Sequence, residues 1–166
     1  MTSEGADDDF YAFDITLHGR AAATEDAPRP SSHVDPRGTW PTLAVSRELL
    51  TQPMAIGFDE ALARLAGLER MYVEPDGSFV WASPREGRWW QVDGNAFEKD
   101  GRVLLADLKG SCPAVEFDRL LGAFGWPSQP LLMQLVRAAV FLDEPTFRRH
   151  ARARWIAGDG ETLRPR

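Results

Sequence analysis

The stretch RWWQVDGNAFEKDGRVLLADLKG (88–110) ends with two ionisable side chains, Asp107 and Lys109, two positions apart on an apolar run. Such a run reads as a buried strand, and residues two apart on a strand share a face. Upstream, Asp93 closes another apolar stretch, and Lys99-Asp100-Gly101 lies between the two. If those three residues form a hairpin loop with Gly101 in the left-handed bulge position, Glu98 pairs with Arg102. Asp93 then stands directly opposite Asp107, with Lys109 on the same face. Facing carboxylates repel across a sheet, and a divalent cation between them would convert the conflict into a site. Carboxylate oxygens are hard donors that suit such a cation. A slip of one residue would put the aspartates on opposite faces. Without a cation, the same residues read as an Asp93-Gly94 bend and a same-strand Asp107–Lys109 ion pair.

The elements that must position these residues follow from pattern. FYAFDITLHG (10–19) alternates and reads as a strand, 20–38 is a proline-rich flexible loop or linker, and TWPTLAV (39–45) is a short strand. Apolar residues at Phe58, Ala61, Leu62 and Leu65 predict a helix over 58–70. SFVWA (78–82), RWWQVDGNAF (88–97) and GRVLLADLK (101–109) form a three-stranded meander joined by turn residues. SCPAVEFDRLLGAFG (111–125) is a helix capped at Ser111 or Cys112. The apolar pairs in LLMQLVRAAVFL (131–142) fit a helix best, although LLMQLV alone fits a strand, and 143–155 is a final helix. The expected class is α+β: a central antiparallel β-meander flanked by helices. The expected organisation is an N-terminal strand segment (1–19), the 20–38 linker, an α+β domain over 39–155 and a frayed tail (156–166).

Asp93 after a hydrophobic residue, a hairpin, and then Asp107-Leu108-Lys109 ending an apolar strand resembles the PD-(D/E)XK, restriction-endonuclease-like nuclease superfamily. The similarity spans roughly 58–125 with a helix, three strands and a helix, and VDG…LLADLKG looks most like toxin-type domains of this group. The resemblance implies a metal-dependent nuclease in which Asp93 and Asp107 bind Mg²⁺ and Lys109 orients the attacking water. It also implies a further acid from the first helix, for which Glu69 fits better than Glu60 because it falls near the apolar face. Val92 stands where the name-giving proline would be, Asp107 replaces the commoner glutamate, and the fold wants a further core strand at 131–136.

Composition bounds these readings. The net charge of −6 argues against broad attraction to nucleic acid, yet residues 137–166 carry seven arginines around FRRHARARW, a solvated helix face or a nucleic-acid contact. Only two of nineteen basic residues are lysine, so Lys109 carries more information than an arginine would. One cysteine excludes an internal disulfide, and no run is long and apolar enough to span a bilayer, so a cytoplasmic protein is expected. His18, His33 and His150 show no ligand spacing. Trp89-Trp90 reads as core packing rather than a base-stacking platform, and Cys112 lacks a partner base. The alternative to a nuclease is a non-catalytic interaction or regulatory module, immunity-like or partner-binding.

Overall fold

The structure is a computed structural model that describes residues 9–20 and 31–159. FYAFDITLHG becomes β1 (Phe10–Gly19), and it does not lie outside the domain. It is hydrogen-bonded on both sides, between β7 (Arg102–Pro113) and β8 (Leu131–Leu135). The full sheet has seven strands in the order β4-β5-β6-β7-β1-β8-β9, antiparallel throughout. Its other members are β4 (Met71–Val73), β5 (Ser78–Ala82), β6 (Gln91–Lys99) and β9 (Val140–Leu142). The class is therefore α+β, with β5, β6 and β7 forming the expected meander.

Helices pack against this sheet. α1 (Arg47–Leu50) is a single turn, α2 (Phe58–Ala66) and α3 (Ala114–Ala123) follow, and α4 (Glu144–Ile156) closes the described chain apart from a short turn. Phe58, Ala61 and Leu65 of α2 and Phe117, Leu120 and Leu121 of α3 are buried, as the helical spacing requires. They join Ile15, Leu17, Trp81, Val92, Ala106, Leu108 and Met133, the inward set of alternate strand residues, in one core. β8 pairs with β1 only from Ile15 to Gly19, which leaves the first half of β1 with a bare edge. α4 lies there: Phe147 packs edge-on against Phe13 at 6.2 Å, and Trp155 stacks on Phe10 at 4.6 Å.

Several sequence expectations need correction. Residues 131–142 are a hairpin, β8 and β9, and not a helix. Leu131, Leu132, Met133 and Leu135 are all buried, so the strand shows no alternation, and a short apolar run of that kind mimics a helix. Part of the supposed linker forms the separate hairpin β2 (Ser31–Asp35) and β3 (Gly38–Thr42), while 21–30 lies outside the described residues. The first long helix stops at Ala66, short of Arg70. α3 starts three residues later than expected, with Pro113 at its cap position, because β7 continues through Ser111 and Cys112. α4 extends through Ile156, the first residue of the expected tail, and 160–166 lies outside the described residues. Gly94 makes no bend; it sits within β6, where a Cβ would collide with the ring of Phe79 on the paired strand.

Candidate functional site

The β6–β7 turn decides which side chains meet. Lys99 pairs with Arg102, so only Asp100 and Gly101 form the loop, and both have positive φ (53° and 78°). This is the signature of a two-residue type I′ turn rather than the three-residue loop expected. It shifts the pairing by one residue, and an irregularity between Phe97 and Glu98 shifts it by one more. The two shifts add, so Asp93 lies opposite Lys109, and Asp107 lies opposite Asn95. Asp93 and Asp107 do not face each other. Because the total shift is even, they remain on the same face, diagonally related at a Cα separation of roughly 7–8 Å.

That face is opposite the one covered by α2 and α3, and it carries two rows of largely polar side chains. Val80, Asp93, Lys109 and Asp14 form one, across four strands. Ser78, Asn95, Asp107, Thr16 and Gln134 form the next, across five. Thr16 Oγ1 donates to Asp107 Oδ1 at 2.8 Å, and Gln91 Nε2 donates to Asp93 Oδ1 at 3.0 Å. His18, one row further along β1, meets Gln134 at 3.0 Å. Burial pushes its imidazole below the ordinary range, against the pull of Gln134 and the Asp107 charge.

Lys109 takes the register position opposite Asp93 where the second carboxylate was expected. Among the described residues, no three His, Cys, Asp or Glu side chains converge as metal ligands. Glu69 is not part of the group. It follows α2 in the turn before edge strand β4, its side chain is 88% exposed, and it pairs with Arg70 at 3.2 Å. β4 is two strands from β6, about 10 Å of sheet.

A second site went unseen in the sequence. A cleft of about 470 Å³ opens where the Asp14–Lys109 row reaches the bare edge of β1. The β2–β3 hairpin contributes His33, Asp35 and Arg37, and the β8–β9 turn contributes Arg137. His150 and Arg154 of α4 and Asp159 complete its charged lining. Its organising residue is Asp35. Oδ1 accepts from the Arg37 backbone N–H at 2.8 Å and from Trp40 Nε1 at 3.1 Å; Oδ2 lies 3.0 Å from His150 Nε2 and 3.9 Å from His33 Nε2. Burial opposes ionisation of Asp35, but the bonds from Trp40, Arg37 and His150 outweigh it and hold the carboxyl below its ordinary range. Burial likewise lowers the His150 imidazole, with Asp35 pulling the other way. An ionised carboxylate only accepts, so the proton of neutral His150 resides on Nε2.

Several remaining candidates are taken up by packing. Trp90 is buried and packs edge-on against Trp81 at 5.0 Å. Cys112 is fully buried, and burial raises its thiol well above the usual range, which leaves no reactive thiolate. Within the basic segment, Arg148 is taken up by Asp118 at 2.7 Å, Glu144 at 2.6 Å and the Trp126 ring at 5.2 Å. Arg149 and Arg152 are exposed. Among the described residues no helix is long and apolar enough to cross a membrane. No protein-family model matches the chain, and the comparisons with curated proteins and with solved structures found no match.

Proposed function

We propose that this chain is a non-catalytic binding module that presents the sheet face opposite α2 and α3 to a cationic protein segment. The observation that carries this reading is the charge of that face. Asp14, Asp93 and Asp107 lie in adjacent rows around one lysine, in a chain of net charge −6. Such a surface attracts basic side chains and repels a phosphate backbone. Lys109, placed among the three acids, gives the face a cation to orient an acidic group on the partner.

A PD-(D/E)XK-type, Mg²⁺-dependent nuclease is the second reading. What favours it is that Asp93, Asp107 and Lys109 share one accessible face, with each carboxylate oriented by a neighbour. One set of proteins separates the two. Wild type, an Asp93→Asn/Asp107→Asn double variant and Lys109→Ala are titrated calorimetrically with a Lys-rich and a Glu-rich peptide, then incubated with DNA and RNA plus Mg²⁺. The binding module predicts preference for the Lys-rich peptide, weakened about tenfold, or ~1.4 kcal/mol, in the double variant. Equal affinity of wild type and double variant sinks it. Cleavage that Lys109→Ala abolishes replaces it with the nuclease.

A further inference from the structure

We infer that the cleft beside α4 is a binding site for the oxyanion group of a small molecule, of the phosphate or phosphomonoester type. The cleft reverses the charge of the neighbouring sheet face. Arg37, Lys109, Arg137 and Arg154 line it against Asp14, Asp35 and Asp159, so cations outnumber carboxylates inside a protein that is acidic as a whole. The carboxylates are also largely committed. Asp159 is shared by Arg37 and Arg154, and Asp35 is held by Trp40, Arg37 and His150. Lys109 and Arg137 have no ion-pair partner among the described residues.

Unfilled hydrogen-bonding capacity points the same way. Arg37 Nε and His150 Nδ1 are both buried without a partner, and both residues line this cleft. Buried polar atoms ordinarily find partners, and an orphaned one costs stability. Arg37 Nε–H needs an acceptor, and neutral His150 offers a lone pair at Nδ1. A singly protonated phosphate supplies both an acceptor and a donor; a fully ionised carboxylate supplies acceptors alone. The volume falls within the range of small-molecule pockets, roughly 300–1,000 Å³.

The test is a titration of the ¹⁵N-labelled full chain with inorganic phosphate, and separately with acetate, followed by amide shifts and calorimetry. Phosphate is expected to shift the amides of Arg37, Arg137 and His150 at lower concentration than acetate does. Arg137→Gln and Lys109→Gln, both at exposed positions, should each weaken phosphate binding at least fivefold. Arg152→Gln, exposed on α4 outside the cleft, should not. The Asp93→Asn/Asp107→Asn variant should keep phosphate binding, so this site and the sheet-face reading fail independently. Absence of saturable phosphate binding overturns the inference, as do shifts centred elsewhere or affinity unchanged in both cleft variants.

Discussion

The sheet face opposite α2 and α3 and the cleft beside α4 meet at Lys109 and Asp14, yet their charges are organised in opposite ways. On the sheet face, Asp93 and Asp107 each take one hydrogen bond from a neutral neighbour on the same or the adjacent strand. In the cleft, Asp35 ties together a hairpin turn, the Trp40 indole and a buried histidine from α4, 115 residues away. The first arrangement is built on a sheet that stands without it. The second pins elements to one another, so its charges are structural before they are functional.

The strongest way to break this comparison is Asp35→Ala. It strips the acceptor from Trp40 Nε1, the Arg37 N–H and His150 Nε2 together, and should cost about 3 kcal/mol in chemical denaturation. A loss under about 0.5 kcal/mol would show that the cleft does not hold α4 to the hairpin.

Acid should act next, and each region contributes one histidine. His150 and His18 both have imidazoles lowered from 6.5, so the unfolded chain binds protons more readily than the folded one. Their contribution is complete above about pH 6.5 and is lost as pH falls through that value towards the folded pKa. Asp35, lowered from 3.8, adds a second loss that begins only below that pH. Thermal melts between pH 8 and 4 should show Tm falling from about pH 6.5 downward. His18→Gln should flatten part of that fall; a flat profile in the wild type contradicts the burial of both rings.

The smallest effect belongs to the sheet face. Asp93→Asn and Lys109→Gln should each change stability by less than about 0.5 kcal/mol, and a double-mutant cycle should give a coupling of about 0–1 kcal/mol. A coupling well above that would make Asp93–Lys109 a structural pair and erase the contrast with Asp35.

Much of the sheet was legible. The aromatic and β-branched residues of 10–19 and 78–82, bounded by polar and turn residues, mark β1 and β5 to the residue. That Asp93, Asp107 and Lys109 share a face was legible too, since the face depends only on parity. Which residues stand opposite was not, because a two-residue turn in place of three and one irregularity moved Lys109 into the place given to Asp107. β8 was hidden by burial on both faces, and Glu69 was misplaced by a helix that ends at Ala66.

Composition and period by themselves determined an acidic α+β chain, the meander, the core faces of α2 and α3, and a polar row around Lys109. Only the tertiary structure decided that β1 lies at the heart of the sheet and that β8 stops beside Ile15. The bare edge of β1 that results is where α4 and the β2–β3 hairpin bring His33, Asp35 and His150 together. Local pattern reports which side of an element is apolar. It carries no term for which distant element will occupy the space beside it, and that choice is made by the packing of the whole core.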